Sequence, residues 1–207
     1  MARKKKDTKL RILELSAALF ADKGKDAVGI REIAEKSGVS LNTVMYHFSS
    51  KENLHHETIK YLLSNGIDFS GIFRKHSDDE GETAEAFREI ISEIFAEGLK
   101  PKYGTYINMI SKVTFSRDKA QLSYLLECFR EAELSFSEFF EKAGVFPDKN
   151  EISFLMSIFW TQLIYCAGAR KLTEMENGGD VSHEYAAKAT AEIFLSRLGI
   201  NQTSGVR

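Results

Sequence analysis

Two short helical patterns separated by a glycine, within residues 28–54, restrict the fold of this chain more than any other feature. The first pattern, at about 30–36, has apolar residues at helical spacing. Gly38 follows at the position after a helix end where a positive φ is common. Ser40 stands where it can cap a second helix over about 41–47. Two short helices joined by a tight glycine turn predict a helix-turn-helix, whose second helix fits the major groove of DNA.

Helices on both sides of this motif complete a small domain. The first spans about 7–23 and carries one apolar stripe, which predicts a structural role in holding the motif. After the motif, Ser49 and Glu52 have the spacing of a capping box for a helix over about 50–65. That helix is long enough to enter the next domain, so we expect it to connect the two domains mechanically.

The second helix of the motif carries side chains suited to DNA. The amide of Asn42 can bind adenine with two hydrogen bonds, and Leu41 or Met45 can contact a thymine methyl group. Arg31, Tyr46 and Lys51 are better suited to phosphates, which position a protein without specifying sequence. The predicted DNA-binding residues are Arg31, Ser40, Leu41, Asn42, Thr43, Met45, Tyr46 and Lys51.

Residues from about Thr8 to Lys60 resemble the DNA-binding domain of the tetracycline-repressor (TetR/AcrR) family. The residues that carry the resemblance are Ile12, Leu19, Phe20, Gly24, Arg31, Ile33, Ala34, Gly38-Val39-Ser40, Thr43, Tyr46-His47-Phe48, Lys51, Glu52 and Leu54. Two positions depart from the family pattern. Asn42 stands where glycine is frequent, and Met45 where tyrosine is frequent. Both are expected on the exposed face, so they bear on which operator is read and not on the fold.

The rest of the chain also has helical patterns and no sustained period-two alternation. Helices are predicted at about 82–99, 106–115, 119–142, 148–171 and 182–198, with a loop at 67–80 and a linker at 174–180. The predicted fold class is therefore all-α: an N-terminal helix-turn-helix domain followed by a C-terminal helical domain, which the resemblance implies is for ligand binding and dimerisation. The predicted segments are a basic arm at 1–7, the DNA-binding domain at 8–66 with its motif at about 29–48, the second domain at 67–200 and a flexible tail at 201–207.

Charge is distributed unevenly along the chain. Residues 1–75 hold 14 Lys/Arg and 9 Asp/Glu, a balance of +5, whereas the remainder holds 14 and 21, a balance of −7. This asymmetry predicts that only the first third meets phosphate. The basic run at 3–6 has two interpretations, an arm that reaches the DNA backbone or minor groove and a solvated tail.

Two helices near the C-terminus have patterns that favour close helix packing. The predicted helix at 151–171 is apolar on more than one face, and Ala167-Gly168-Ala169 removes side-chain bulk near its end. The last helix carries a second stripe of small residues. We expect these helices to pair with their copies in a homodimer, as the resemblance also implies, with packing inside one chain as the alternative. The candidate interface residues are Tyr165, Gly168, Ala169, Ala187, Ala191 and Phe194.

The resemblance further implies a ligand cavity among the middle helices. The aromatic and methionine side chains there, with few polar groups, fit a mostly apolar pocket, although packing in the core is the simpler interpretation for most of them. The candidate pocket residues are Phe95, Tyr106, Met109, Phe115, Tyr124, Phe129, Met156, Trp160 and Gln162.

Catalytic and metal-binding motifs are absent from the sequence. No GxSxG, Walker A, HExxH or GxGxxG pattern occurs, and His55 and His56 point to different sides of a helix. We therefore predict no catalytic residues, no metal site and no cofactor. The longest apolar stretch, at 154–169, is shorter than the roughly 20 residues that a membrane span needs. With no secretory signal pattern, the expected location is the cytoplasm, with no membrane partner.

Together these inferences predict a homodimeric transcriptional regulator that binds double-stranded DNA at a near-palindromic operator. The resemblance implies a repressor that a small, largely apolar effector releases. One alternative keeps DNA binding and has no small-molecule inducer. The other, from a different class, is an all-helical enzyme or carrier in which the helix-turn-helix is incidental.

Overall fold

The computed structural model describes residues 2–77, 83–176 and 183–200, with side chains at 7–76, 83–100, 102–127, 129–166 and 183–200. These residues form α-helices and no β-strand, which confirms the all-α prediction. The helices are α1 (Ala2–Lys23), α2 (Ile30–Lys36), α3 (Leu41–Phe48), α4 (Lys51–Leu63), α5 (Phe69–Ser77), α6 (Thr83–Gly98), α7 (Pro101–Thr114), α8 (Lys119–Lys142), α9 (Lys149–Glu176) and α10 (His183–Arg197).

The chain divides into two compact units. Unit 1 comprises Met1–Gly66 and Thr105–Glu127, and unit 2 comprises Ile67–Gly104 and Cys128–Arg207. The sequence predicted one boundary near residue 66 with everything after it in the second domain. Residues 105–127 instead belong with the N-terminal helices. Helix α4 ends at Leu63 inside unit 1, whereas α7 and α8 each continue from one unit into the other.

Unit 1 has its core between α1 and the helices of the motif. Phe20 of α1, Ile33 of α2, Val44 and Phe48 of α3 and Leu54 of α4 are fully buried. Ion pairs at the surface join the same helices, from Lys9 to Glu57 at 3.1 Å and from Lys23 to Glu32 at 2.6 Å. The apolar stripe of α1 therefore has the structural role that its spacing predicts.

Unit 2 is built around α6, which buries one whole face and packs against α5 and α10. Its core is rich in phenylalanine. The Phe87 ring lies 5.5 Å from Phe194, and Phe136 lies 5.2 Å from Phe159 and 5.5 Å from Phe194, centre to centre. The prediction of a loop at 67–80 is wrong for the described part, because α5 occupies it. Asp68 caps this helix, its Oδ1 accepting the Gly71 N–H at 2.8 Å.

Several helix ends follow local signals, and others extend further than predicted. Asp118 caps α8 as expected, with Oδ1 accepting the N–H of Ala120 at 2.9 Å, and Gly144 ends it with a φ of +76°. Pro101 is the first residue of α7. Proline is favourable at this position because the first N–H groups of a helix have no partner within the helix, so no hydrogen bond is lost. Among the described helices, none combines the length and apolar character needed to cross a membrane.

Candidate DNA-binding site

The turn between α2 and α3 has the geometry that its glycine predicts. Gly38 has a φ of +62°, in the left-handed region. The Val39 N–H donates to the Ala34 carbonyl, and the Gly38 N–H donates to the Glu35 carbonyl, both at 3.0 Å. This pair of bonds closes α2 and turns the chain sharply toward α3.

Ser40 begins α3 as a helix cap, which confirms its predicted role. Its backbone is extended, and its Oγ accepts the Thr43 N–H at 3.1 Å. The Thr43 hydroxyl lies 2.9 Å from the same Oγ, so the two hydroxyl groups are paired. The pairing holds Thr43 half-buried at the first turn of α3.

The remaining predicted DNA-binding side chains of α3 lie on one exposed face of the helix. Val44 and Phe48 point into the core of unit 1. Leu41, Asn42, Met45 and Tyr46 are exposed, with Tyr46 at 68% of its full accessible area. Their spacing of three and four residues places them side by side. The structure therefore brings an amide, two apolar side chains and a phenol together on one exposed surface of α3.

Two basic residues that the sequence predicts to bind phosphate lie on the helices before and after α3. Arg31 is exposed on α2. Lys51, at the first position of α4, is half-buried, and its Nζ donates to the Asp26 carbonyl at 3.4 Å. On α2, Glu32 is paired with Lys23 at 2.6 Å and Lys36 at 3.6 Å, and the hydrogen bond from Lys23 holds the pKa of Glu32 below its usual value. This carboxylate is consequently neutralised from two sides.

The predicted capping box at Ser49 and Glu52 is wrong, because the cap of α4 is the next residue, Ser50. Ser50 is the cap of α4, its Oγ accepting the Asn53 N–H at 3.1 Å. Ser49 ends α3 instead and has a φ of +62°, which is uncommon for a residue other than glycine. Only Ser49 and Ser50 separate α3 from α4, and Ser50 provides the cap.

Asn53 is a structural residue of this site that the sequence reasoning missed. Its Nδ2 donates to the Phe48 carbonyl at 2.9 Å, so it ties the end of α3 to the first turn of α4. The spacing of Ser50 and Asn53 is that of a helix cap and the third residue after it, so it is consistent with a cap at Ser50. Ser49 and Glu52 have the same spacing one residue earlier and match a capping box, so spacing alone does not choose between the two serines.

The two adjacent histidines of α4 have different environments. His55 is only 4% exposed and packs edge-on against Phe20 at 4.7 Å, and burial lowers its pKa to about 4. It is therefore neutral at pH 7. His56 is half-buried, with Nε2 3.5 Å from Oδ2 of Asp118. Within the described residues, no cluster of three or more His, Cys, Asp or Glu side chains could hold a metal ion.

The candidate pocket residues are divided between the units. Tyr106, Met109, Phe115 and Tyr124 belong to unit 1, and Phe95, Phe129, Met156, Trp160 and Gln162 belong to unit 2. Phe115 is 85% exposed, so its side chain lines no interior surface of unit 1. In unit 2, Trp160 stacks on Phe129 with centres 4.5 Å apart. A pocket among these residues stays a prediction.

The candidate dimer residues prove to be of two kinds. Ala187, Ala191 and Phe194 of α10 are buried inside unit 2, because the small side chains allow α10 to pack closely on α6 and α9. They are not available to a partner chain, and the interface prediction is corrected at these positions. Tyr165 of α9 is exposed. The side chains of Gly168 and Ala169 lie outside the described residues.

The N-terminal helices match the sequence model of a protein family. Residues 12–58 match the model for bacterial regulatory proteins of the tetR family. Over 79 residues the chain is 33% identical to the HTH-type transcriptional repressor KstR2 of Mycobacterium tuberculosis, an alignment that covers 38% of this chain and 36% of that relative. The chain thus aligns with about a third of the relative's length.

Solved structures share the fold over almost the whole chain. A TetR-family regulator from Mesorhizobium loti superposes with a TM-score of 0.68 at 20% identity, covering 93% of this chain and 96% of the other. AibR, solved with isovaleryl coenzyme A and operator DNA, superposes with a TM-score of 0.64 at 15% identity, covering 90% and 97%. Residues 12–58 therefore match the tetR family of bacterial regulatory proteins, and the described helices have the fold of the solved structures.

Proposed function

We propose that this protein is a transcriptional repressor that binds a near-palindromic operator as a homodimer and is released by a small molecule. The observation that carries the proposal is the exposed face of α3, where Asn42, Met45 and Tyr46 lie together. Its orientation is fixed by the Ser40 cap on one side and by the burial of Val44 on the other.

On DNA, α3 enters the major groove and its side chains divide the work of recognition. Asn42 hydrogen bonds a base edge, and Leu41 and Met45 contact apolar groups such as a thymine methyl. Arg31 and Lys51 bind phosphates on the border of the groove, so they contribute affinity without sequence preference. Lys51 exchanges its bond to the Asp26 carbonyl for a phosphate oxygen. Selection of duplexes from a randomised library by the purified protein tests the proposal, which predicts enrichment of two inverted half-sites.

The dimer surface that we propose consists of exposed apolar side chains of α9 and α10. These are Phe154 and Tyr165 on α9, and Tyr185 and Ile193 on α10. Large apolar side chains on two adjoining helices are typical of a surface that a partner covers. A symmetric dimer through this surface supplies two copies of α3 for successive major grooves, about 34 Å apart. Sedimentation at micromolar concentration tests it, because a monomer would contradict the proposal.

The effector site that we propose lies in unit 2, among the aromatic residues near Trp160. The indole N–H of Trp160 is buried and has no hydrogen-bond partner among the described residues, whereas its ring contacts Phe69, Phe129 and Phe159. A buried unpaired donor is unfavourable by about 1–3 kcal/mol, which an acceptor atom on an apolar ligand would relieve. AibR, which shares the fold and was solved with isovaleryl coenzyme A and operator DNA, supports a small-molecule effector in general and not its apolar character.

Trp160 is the only tryptophan, so its fluorescence can report an occupied site. Compounds that change this emission, isovaleryl coenzyme A among those tested, would be titrated with and without the selected duplex. A ligand that releases the operator binds less tightly when DNA is present, and the two effects are equal in free energy. Equal ligand affinities in both titrations would leave a DNA-binding dimer and remove the effector from the proposal.

A further inference from the structure

The segment at residues 105–127, which we call the corner, comprises the end of α7, the following turn and the start of α8. It belongs to the same compact unit as the helix-turn-helix. Both helices cross a unit boundary without interruption, α7 between Gly104 and Thr105, and α8 between Glu127 and Cys128.

The first contact of the corner is made at the end of α4. A Cβ atom placed on Gly66 would lie 2.5 Å from Cε2 and 2.7 Å from Cζ of Tyr106, distances that real Cβ atoms do not adopt. Tyr106 is only 2% exposed, so its ring has little room to move away. Gly66 is not among the residues with a positive φ. Glycine is therefore required here by the aromatic ring and not by the backbone conformation.

The second contact is made in the middle of α4. Oδ2 of Asp118 lies 3.5 Å from Nε2 of His56 and accepts the Gln121 side-chain N–H at 2.8 Å. The other oxygen of Asp118 caps α8, where it accepts the N–H of Ala120 at 2.9 Å. One carboxylate thus fixes the start of α8 and joins it to α4.

The third contact lies one helical turn further along α4. Nζ of Lys60 is 4.7 Å from the centre of the Tyr124 ring, within the range of a cation–π interaction. His56 and Lys60 are four residues apart and share one face of α4. At the start of the same helix, Asn53 bonds to the end of α3. Helix α4 is consequently attached to α3 at its beginning and to the corner along the rest of its length.

We propose that Tyr106 and Asp118 are positioning residues for operator binding. Through Gly66 and His56 they set the direction of α4, and α4 sets the direction of α3 through Asn53. This inference rests on the proposed function, since it assigns the contacts a role in DNA binding.

The experiment uses the full-length protein and the duplex that the unmodified protein selects from a randomised library. Gly66→Ala adds one methyl group against the Tyr106 ring and should displace the end of α4. We expect affinity for the duplex, measured by fluorescence anisotropy, to fall about 5- to 150-fold, the range of typical allosteric couplings. Gly104→Ala is the matched control, because a Cβ there meets nothing within 4 Å, and its affinity should be unchanged.

A rescue variant separates positioning from general destabilisation. Tyr106→Leu removes the ring atoms that the new methyl group would meet, so adding Gly66→Ala in that background should change affinity less than about twofold, as expected when two sites act through one contact. All variants should retain cooperative thermal melts and the oligomeric state of the unmodified protein. An equal loss of affinity in both backgrounds, or no loss in Gly66→Ala, would overturn the inference.

A second pair keeps the test decisive if Gly66→Ala fails to fold. Asp118→Asn retains an oxygen for the α8 cap while it removes the carboxylate that faces His56, and His56→Gln removes the other partner. If the pair acts as one positioning contact, the double variant should bind no more weakly than the weaker single variant. Independent, additive losses would overturn the inference. If the unmodified protein selects no sequence at all, the proposed function fails, and this inference fails with it.

Discussion

Helices α3 and α10 each bury one face and expose the other, but they differ in the size of the side chains that they bury. Helix α3 buries large apolar side chains, Val44 and Phe48, and exposes a face that includes Asn42. Helix α10 buries mostly small side chains and exposes Tyr185, 73% accessible, together with Ile193. Because α10 buries small residues, it packs close to its neighbours, and its larger apolar residues remain outside. In the proposed function, α3 presents its mixed face to DNA, and α10 presents apolar surface to a partner chain.

The largest expected effect tests which face of α10 is internal. Phe194→Ala removes a fully buried ring and should lower the free energy of unfolding by about 3–5 kcal/mol, measured by urea denaturation. Tyr185→Ala removes an exposed ring, so it should change the free energy of unfolding by less than about 0.5 kcal/mol while weakening the dimer. If Phe194→Ala weakened the dimer without lowering stability, the assignment of the two faces would be reversed.

The next effect concerns His55 in the core of unit 1. His55 has a pKa lowered by burial to about 4, whereas an unfolded histidine titrates near 6.5. The unfolded chain therefore takes up the proton first, and stability is lost as the pH falls from 6.5 toward 4. We expect the free energy of unfolding to be about 2 kcal/mol lower at pH 5 than at pH 7.5 from this group.

His55→Leu is the control for that pH dependence. The variant has no titrating group at this site, so the part of the stability change that arises from His55 should disappear. Urea unfolding at both pH values measures it. An identical change in the variant and the unmodified protein would show that His55 does not titrate as its burial implies.

A smaller effect separates the two serines between α3 and α4. Ser50→Ala removes the cap of α4 and should destabilise the protein by about 1 kcal/mol in thermal or urea unfolding. Ser49→Ala removes a side chain that does not cap this helix and should have a smaller effect. The reverse order would restore the cap to Ser49, as the sequence spacing first suggested.

The parts of this fold that follow from sequence are those with local signals. The glycine turn at Gly38, the Ser40 cap and the Asp118 cap each act within a few residues, so spacing alone predicts them. The exposed face of α3 follows, because the cap and one apolar position fix the rotation of a short helix. Helix α5 was missed because its Asp68 cap stands beside Gly71 in a stretch with many polar residues.

Other features depend on contacts between segments that are distant in the sequence, and the spacing of residues does not predict such contacts. The small residues of α10 fit both an internal and an external face, and only the position of α6 decides between them. Likewise, nothing local indicates that the corner belongs with the DNA-binding helices, because the ring of Tyr106 meets Gly66 across 40 residues of chain. The candidate pocket mixed residues of both units for the same reason.

The proposed function requires the exposed face of α3 to read a DNA sequence while Arg31 and Lys51 bind phosphate. Anisotropy titrations with the selected duplex and its single-base-pair variants, at several salt concentrations, test both parts together. Asn42→Ala should lose about 1–3 kcal/mol of discrimination at one base pair per half-site and keep its salt dependence. Lys51→Ala should weaken binding to all duplexes alike and reduce the salt slope by about one. Unchanged discrimination in Asn42→Ala, together with an unchanged salt slope in Lys51→Ala, would contradict the account.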